Sequence, residues 1–313
     1  MRCACIDIGS NTTRLLVADG DPGDGRLRVL AVERVFTAVG AAAAPDGTLP
    51  PAKIAEVVAA VAAQAASARR HGAGSTRAVA TAAIRRAPNR DLLVSALARA
   101  GIELEVLTGE QEARLAFAGA IASGPAPPTD PGHRLGAAGS VAVIDVGGGS
   151  TEVVVGRPGS QPGWWASLPV GSSSLTVACV AEDPPSPGCL AGLHAAAAAA
   201  FAGLSPPPVE LALAVGGSAT SLLLLAGPTG PTGPTPEAEA ALDDRSLGAV
   251  LAVLTAEPVA ETARRLGLHP ERVRVMPAGV TLLARASRVL GAPLRIARGG
   301  LREGVILDLL GPG

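Results

Sequence analysis

Two observations in the sequence predict an α/β protein with a duplicated domain. Residues 7–17 (DIGSNTTRLLV) recur in register as residues 145–155 (DVGGGSTEVVV). Each copy lies between apolar stretches, so each is expected to form a β-hairpin with a tight turn of small polar residues. Apolar strands also run into Thr81-Ala82-Ala83 and into Gly216-Gly217-Ser218 at about the same separation. Two matching pairs at one offset predict two lobes related by pseudo-two-fold symmetry, whose hairpin turns face each other across a cleft.

Hydrophobic periodicity predicts the elements of each lobe in chain order. Strands are expected over Cys3–Ile6, Leu15–Ala18, Ser75–Ala80, Val141–Ile144, Val153–Gly156 and Leu211–Val215. Helices are expected over Ala52–Arg70, Asp91–Ala100, Thr108–Ser123, Leu190–Gly203, Ala238–Leu254, Pro258–Leu266, Ala278–Leu290 and Leu301–Leu310. Strands that alternate with helices favour α/β layers with the helices outside the sheets.

Two stretches rich in proline and glycine are expected to be loops. Residues 124–139 are the predicted linker between a first lobe, 1–123, and a second lobe, 140–300. Residues 227–236 (GPTGPTGPTP) predict an exposed loop inside the second lobe.

Composition limits the class of protein. The chain has 313 residues, of which 48% are hydrophobic and 17% charged, so a soluble globular protein of two domains is expected. The net charge of −1 gives no whole-molecule argument for binding nucleic acid or a membrane. Lys53 is the only lysine, and arginine suits phosphate oxygens, although a GC-rich genome would bias the codons in the same way. The N-terminus has no signal-peptide pattern, and the four cysteines favour free buried thiols, so we expect a cytoplasmic protein.

Each hairpin turn predicts an anion-binding site. Gly9-Ser10-Asn11 and Gly147-Gly148-Gly149-Ser150 place consecutive backbone N–H groups beside polar side chains, and glycine lets the backbone approach a phosphate closely. A single Gly-rich turn simply makes a hairpin. Two facing turns in a duplicated cleft favour phosphate binding.

Carboxylates accompany both turns. Asp7 and Asp145 precede the turns at strand ends, where a carboxylate holds Mg²⁺ or caps the turn. Glu152 is either a further metal ligand or an exposed strand residue.

A third carboxylate, Glu112, follows a capping box formed by Thr108 and Gln111. It is either a general base for an attacking water, or a residue that interacts with the helix dipole or with an arginine. Spacing alone favours the second reading.

Arginines supply the remaining anion-binding candidates. Arg14 and Arg85 could each reach an anion from positions beside the loops, although most arginines are solvated surface residues. Gly217 and Ser218 resemble a third anion-contacting turn. Positive charge late in the second lobe could track a long polyanion, and it is carried by Arg272, Arg274, Arg298 and Arg302. The P-loop of nucleotide-binding proteins and the nucleophile elbow of hydrolases are absent from the sequence.

Together these segments resemble the exopolyphosphatase/guanosine pentaphosphate phosphatase (Ppx/GppA) family in its short two-domain form. The matching segments span nearly the whole chain in the family's order: DIGSNTTRLLV (7–17), VATAAIRRAPN (79–89), GEQEARLAF (109–117), VIDVGGGSTEVVVG (143–156), LPVGSSSLT (168–176), VGGSATSL (215–222), RVMPAGVTLL (274–283) and GGLREGVILDLL (299–310).

The resemblance implies a fold, a reaction and a set of residues. The fold is the duplicated actin-like ATPase (ribonuclease H-like) fold, in which two α/β domains flank a cleft and the last helix completes the first lobe. The reaction is a Mg²⁺-dependent (or Mn²⁺-dependent) attack of water on a terminal phosphorus. Glu112 becomes the catalytic base, and Asp145 and Glu152 serve metal binding and catalysis. Phosphate binding falls to Gly147–Ser150, Ser10, Asn11, Arg85 and Gly217-Ser218.

Departures from the family pattern are few. Gln111-Glu112 replaces the usual acidic pair and keeps the base, and Ser218 replaces a threonine. The chain stops soon after residue 310, so the extra helical domains of longer members are expected to be absent, which puts processivity on long polyphosphate in doubt.

Several functions remain open at this stage. An exopolyphosphatase acting on inorganic polyphosphate and a hydrolase converting guanosine pentaphosphate to tetraphosphate use the same constellation. A sensor of polyphosphate or guanosine alarmones with little turnover is a third reading, and a kinase or chaperone ATPase of the same fold is a fourth. A homodimer is possible, and neither nucleic acid nor a membrane is an expected partner.

Overall fold

The computed structural model describes residues 1–21, 26–44, 46–124, 139–226 and 242–311. The chain divides into two compact units, the first made of Met1–Ser123 with Gly299–Gly313 and the second of Gly124–Arg298. The predicted linker, apart from its end residues 124 and 139, and the predicted loop at 227–236 lie outside the described residues.

Ten strands and twelve helices make up the described chain. The strands are β1 (Arg2–Ile8), β2 (Thr12–Gly20), β3 (Leu27–Phe36), β4 (Ser75–Ala80), β5 (Leu104–Val106), β6 (Val141–Val146), β7 (Thr151–Gly156), β8 (Trp164–Leu168), β9 (Leu211–Val215) and β10 (Leu294–Ile296). The helices are α1 (Val39–Ala42), α2 (Pro51–Arg70), α3 (Ala82–Arg86), α4 (Arg90–Arg99), α5 (Gly109–Ser123), α6 (Ser172–Cys179), α7 (Pro187–Phe201), α8 (Gly216–Ala226), α9 (Asp244–Thr255), α10 (Val259–Leu266), α11 (Pro270–Leu290) and α12 (Leu301–Leu310).

The two units repeat one sheet topology. The first sheet has the order β3-β2-β1-β4-β5, and the second has the corresponding order β8-β7-β6-β9-β10. In both sheets the first three strands along the chain pair antiparallel, and the last two run parallel to the first strand. The prediction of a duplicated α/β domain is therefore confirmed.

The first sheet is covered on both faces. Alternate residues of β1 point to opposite faces, so Ala4, Ile6 and Ile8 enter a core with α2 and α4, whereas Cys3 and Cys5 enter a second core against α12. Both cysteines are free thiols and fully buried, as expected; Cys189 is also free and buried, whereas the free Cys179 is only partly buried, which corrects that expectation. Helix α12 thus completes the first unit, although it lies at the far end of the chain.

Glycines allow α5 and α12 to pack backbone against backbone. A Cβ atom on Gly119 would overlap the carbonyl oxygen of Gly300, and one on Gly304 would overlap the carbonyl oxygen of Leu115. The pairs run in opposite directions along the two helices, so α5 and α12 are antiparallel. Small residues are required at this crossing because a side chain would force the helices apart.

Helix α11 is the largest difference from the predicted elements. It begins at Pro270 rather than at Ala278, and Pro277 lies inside it. The prediction was wrong because proline usually ends a helix. Here fourteen of the helix residues are buried in the core of the second unit, and this burial outweighs the lost hydrogen bond.

The boundaries of other elements also differ from the predicted ones. Helix α9 begins at Asp244, where Asp243 accepts a hydrogen bond from the backbone N–H of Ser246 at 2.8 Å, and residues 238–241 of the predicted helix lie outside the described residues. Elements that the sequence patterns did not predict are β3, which at ten residues is the longest described strand, and β5, β8, β10, α1, α3, α6 and α8.

In the described part of the chain, no single helix is both long enough and apolar enough to cross a membrane. The pair α9 and α10 meets those criteria only when taken together, and it is bent by 115°.

Candidate active site

The turn between β1 and β2 is closed by its own backbone and held by a neighbouring loop. The N–H of Gly9 donates to the carbonyl of Thr12 at 3.0 Å, and a Cβ on Gly9 would lie 3.2 Å from that oxygen. The carbonyl of Ser10 accepts from the N–H of Gly40 at 2.8 Å, and the carbonyl of Asn11 accepts from the N–H of Ala38 at 2.9 Å. The turn backbone is therefore fixed, and glycine is favoured at its start because a Cβ there would be in tight contact.

Two buried polar atoms at this turn have no hydrogen-bond partner among the described residues, Asp7 Oδ1 and Asn11 Nδ2. Burial raises the pKa of Asp7, while the nearby Arg14 and Arg302 act in the opposite direction. Buried polar groups without a partner are rare and indicate a position where a ligand or an ordered water binds. Asp7 Oδ1 is an acceptor and Asn11 Nδ2 is a donor.

Helices α3 and α5 bring a partly buried ion pair together. Arg85 Nη1 donates to Glu112 Oε2 at 2.9 Å and to the carbonyl of Leu107 at 2.7 Å. Glu112 is only 5% exposed, whereas the side chain of Arg85 is 24% exposed. Removing a carboxylate from water is costly, so a buried carboxylate with a charged partner is a candidate functional group.

Local sequence fixes the position of Glu112 in its helix. The N–H of Thr108 donates to Gln111 Oε1 at 2.8 Å, and the N–H of Gln111 donates to Thr108 Oγ1 at 3.1 Å. This reciprocal pair is the predicted capping box, which is confirmed. The ion pair with an arginine, which the sequence analysis gave as the alternative to a catalytic role, is also present.

The turn between β6 and β7 repeats the closure of the first turn. The N–H of Gly147 donates to the carbonyl of Ser150 at 3.0 Å. Its carbonyls are held from behind by α6, because Gly147 accepts from the N–H of Ser172 at 2.8 Å and Gly148 from the N–H of Ser173 at 2.9 Å. The backbone of the second turn is thus fixed by contacts that the sequence did not indicate.

Two carboxylates lie side by side behind the second turn. Asp145 and Glu152 are direct cross-strand partners, and they are 9% and 1% exposed. Glu152 accepts hydrogen bonds from Ser150 Oγ at 3.3 Å and from Ser167 Oγ at 2.7 Å. Like charges at opposed positions are destabilising, and a divalent cation would relieve the repulsion. Glu152 is therefore not the exposed strand residue that the sequence left as one reading.

Gly216 explains how Asp145 is accommodated. Its φ of +82° lies in the left-handed region, and a Cβ there would overlap Asp145 Oδ1. The carboxylate thus rests directly against the start of α8, at a distance that only glycine permits.

The predicted third turn is instead part of a helix. Gly217 and Ser218 lie in the first turn of α8. Ser218 Oγ is buried without a hydrogen-bond partner in the described chain, and a Cβ on Gly279 would overlap it. The prediction of a turn was wrong, because α8 begins directly after β9 with no turn between them. Phosphate binding by Gly217 and Ser218 stays a prediction.

The four late arginines do not form one group. Arg272 is buried, whereas Arg274 and Arg298 are exposed in the same unit. Arg302 belongs to α12 and so to the first unit, as the resemblance implied for the last helix, and it is therefore not grouped with the other three arginines. Arg34 of β3 was missed altogether, since nothing in its local sequence shows that it pairs with Arg14 in the sheet.

Comparison with known proteins agrees with these features. Residues 16–312 match the model of the Ppx/GppA phosphatase family. Exopolyphosphatase 2 of Mycobacterium tuberculosis is 30% identical over 335 residues, covering 99% of both chains. A solved Ppx/GppA family member from Aquifex aeolicus is 28% identical with a TM-score of 0.77, covering 99% of this chain and 97% of its own. A solved exopolyphosphatase from Cytophaga hutchinsonii, 18% identical with a TM-score of 0.82 over 100% of this chain and 99% of its own, supports the fold alone. On its motifs, its duplicated fold and these matches, the chain belongs to the Ppx/GppA phosphatase family.

Proposed function

We propose that this protein is a divalent-metal-dependent exopolyphosphatase, which releases terminal orthophosphate from inorganic polyphosphate by attack of water. Membership of the phosphatase family makes the protein a phosphoanhydride hydrolase. Curated relatives that carry the name exopolyphosphatase support polyphosphate as the substrate.

The observation that carries this proposal is the pair formed by Arg85 and the buried Glu112. A carboxylate at the start of a helix accepts the proton of an attacking water when it is ionised and held in place. Arg85 Nη1 donates to Glu112 Oε2 at 2.9 Å and so fixes that oxygen. In the proposal, Glu112 is the general base, and Arg85 orients it and contacts phosphate oxygens.

Magnesium fits the carboxylates of the second unit. Mg²⁺ is commonly held by one or two carboxylates together with substrate phosphates and water. Asp145 and Glu152 supply such a pair, and Asp7, with its orphaned oxygen, supplies a further carboxylate in the first unit. The described residues contain no group of three or more His, Cys, Asp or Glu side chains that could hold a metal by themselves, so the proposal needs substrate phosphates and water to complete the coordination. When bound, Mg²⁺ (or Mn²⁺) would neutralise charge on the phosphoryl oxygens.

The two glycine turns are the proposed phosphate-binding elements. Gly9, Ser10, Asn11 and Arg14 would serve in the first unit, and residues 147–150 in the second. Both turns have the same backbone closure, and α6 holds the second in a fixed shape for anion binding. Gly217 and Ser218 are kept as lesser candidates.

Hydrolysis of guanosine pentaphosphate is the second candidate function. The family description joins the two phosphatase types, and both need the same base and metal. Substrate comparison separates them.

The test measures orthophosphate release from short polyphosphate, long polyphosphate and guanosine pentaphosphate, with Mg²⁺, with Mn²⁺ and with EDTA. Glu112→Gln is expected to lower the rate by about 10²- to 10⁴-fold, since it removes the proton acceptor but keeps the side-chain shape. Glu110→Gln is the matched control, because Glu110 lies on the same helix and forms an exposed ion pair with Arg114.

Three outcomes decide the assignment. Release that needs metal and is lost only in Glu112→Gln supports the hydrolase, and the preferred substrate then selects between the two candidates. Release from the nucleotide alone overturns polyphosphate as the substrate. Equal rates for both variants remove Glu112 from the chemistry.

A further inference from the structure

Three strands of the first unit place charged residues in one row. Asp7 of β1 is the register partner of Arg14 on β2, and Arg14 is the register partner of Arg34 on β3. Register partners lie on the same face of a sheet. Asp7 shares its face with Cys3 and Cys5, which contact α12, so the row faces that helix.

Helix α12 adds a third arginine to this row. Arg302 acts electrostatically on both Asp7 and Arg34, and its Nη1 atom is buried without a hydrogen-bond partner in the described residues. The pKa of Arg34 is lowered, mainly by partial burial of its guanidinium group and secondly by the charge of Arg302. The residue as a whole is nevertheless exposed. The guanidinium group of Arg302 thus lies close enough to disfavour the charge of Arg34.

Two acidic groups, Asp7 and Glu303, lie beside the row. Glu303 Oε2 accepts a hydrogen bond from the N–H of Gly300 at 2.8 Å and caps the start of α12. Within the described chain neither Arg34 nor Arg302 has an ion pair. The row therefore carries three guanidinium groups against two carboxylates.

Another charged row on the same strands behaves differently. Arg2, Asp19 and Arg28 are also successive register partners, and they alternate in sign. Asp19 accepts from Arg2 at 2.7 Å and from Arg28 at 2.6 Å, so this row is satisfied internally. Adjacent arginines on the first row are therefore not a general feature of the sheet.

The second unit carries a row at the equivalent positions. There Asp145, Glu152 and Ser167 are successive register partners, and Glu152 occupies the place that Arg14 has in the first unit. The row in the second unit pairs two carboxylates, which suits a cation. The row in the first unit pairs a carboxylate with arginines, which suits an anion. The two units therefore carry opposite charges at one equivalent position, Arg14 in the first unit and Glu152 in the second.

We propose that Arg34 and Arg302, beside Arg14, form an anion subsite of the first unit that binds phosphoryl groups behind the terminal one. Guanidinium groups form strong charge-assisted hydrogen bonds to phosphate oxygens, and a bound chain of phosphates relieves the repulsion between them. This inference rests on the proposed function for its substrate class, and it selects ligands with at least three linked phosphates over orthophosphate.

The test is binding rather than turnover. Isothermal titration calorimetry with EDTA present measures the affinity of the full chain for tripolyphosphate and, separately, for orthophosphate. Arg34→Gln and Arg302→Gln are each expected to weaken tripolyphosphate binding roughly five- to tenfold, because each removes one partly exposed charge-assisted contact. Orthophosphate binding is expected to change less than twofold.

Two control variants test whether weaker binding is specific to the proposed subsite. Arg28→Gln removes an arginine from the same strand that already has Asp19 as its partner, and it is expected to bind tripolyphosphate as the unmodified chain does. Arg302→Lys keeps the positive charge and removes only the guanidinium group. Circular dichroism checks that every variant is folded, so that weaker binding can be assigned to the lost contact and not to unfolding.

The outcomes distinguish this inference from the proposed function. Unchanged tripolyphosphate binding in Arg34→Gln or in Arg302→Gln overturns the subsite, even if the protein hydrolyses polyphosphate. Equal weakening in Arg28→Gln also overturns it, since the effect would then reflect general charge. Weakened binding confined to the two subsite variants supports it, whether or not orthophosphate release is detected.

Discussion

At the scale of single residues, the two copies of the repeat differ in the charge that faces the shared aspartate. Both keep the aspartate before the turn, yet its cross-strand partner is Arg14 in the first unit and Glu152 in the second. The backbone closure of the two turns is the same, with an N–H to carbonyl distance of 3.0 Å in each. Shape is therefore repeated, while charge is not.

The contact between Gly216 and Asp145 gives a sharp prediction. Gly216→Ala is expected to lower the free energy of unfolding by about 1–2 kcal/mol from the positive φ alone, and to displace the carboxylate that its Cβ would overlap. Orthophosphate release should then fall by about tenfold or more, as expected when a catalytic group is misplaced.

Gly267→Ala is the matched control for that variant. Gly267 has a φ of +63°, and a Cβ there would meet no other atom within 4 Å. Similar loss of stability with full activity is expected. If both variants lose activity equally, backbone strain rather than the Asp145 contact is responsible.

At the scale of elements, the packing of α5 against α12 depends on the absence of side chains. Gly304→Ala is expected to destabilise the protein by about 1–3 kcal/mol, because its Cβ would overlap the carbonyl of Leu115 and push two buried helices apart. Thermal unfolding followed by circular dichroism measures the change.

The reverse effect is expected for Gly248→Ala in α9. Gly248 is an exposed helix residue whose Cβ would meet nothing within 4 Å. Alanine there is expected to stabilise the protein by about 0.5–1 kcal/mol, since glycine is a poor helix former. A stabilised Gly304→Ala would contradict the packing described above.

The ion pairs that join β1, β2 and β3 predict a dependence of stability on pH. Hydrogen bonds from Arg2 and Arg28 lower the pKa of Asp19 to about 2, from an ordinary value of 3.8. A lowered pKa means that the folded state binds the proton less readily, so the stabilisation is present above pH 3.8 and is lost as the pH falls towards 2.

Asp19→Asn should therefore lower the unfolding temperature at neutral pH, and the difference from the unmodified chain should disappear near pH 2. Asp21→Asn, which changes a carboxylate that is 88% exposed, is expected to have little effect at any pH. A difference between Asp19→Asn and the unmodified chain that stays constant with pH would contradict the assignment.

At the scale of the whole molecule, the first unit is discontinuous in sequence. Its second core needs Leu301, Val305, Ile306 and Leu310, all of which are buried. Burying four aliphatic side chains contributes about 6–12 kcal/mol, which is comparable to the whole stability of a domain.

A chain ending at Arg298 is therefore expected to lose the first unit. Hydrogen exchange should show β1 and β2 unprotected, whereas β6 and β7 of the second unit keep their protection. A chain ending at Gly311 is the control, since it retains all of α12. Protected β1 amides in the shorter chain would show that α12 is dispensable.

The strongest local patterns were predictable from sequence. Helix α12 was predicted with its observed bounds, and the capping box of α5 was predicted at Thr108 and Gln111, because both depend on residues close together in the chain. Helix α11 was predicted too short, because the cost of an internal proline is local while the burial that offsets it comes from other elements.

The sequence by itself determined the duplication, the two glycine turns and the family, since these follow from residue types at fixed spacing. Tertiary structure decided which charges meet. Arg85 reaches Glu112 across 27 positions, and Arg34 joins Arg14 and Arg302 only through strand register and helix packing. Long-range pairing depends on how the whole sheet and its helices assemble, and no local pattern carries that information.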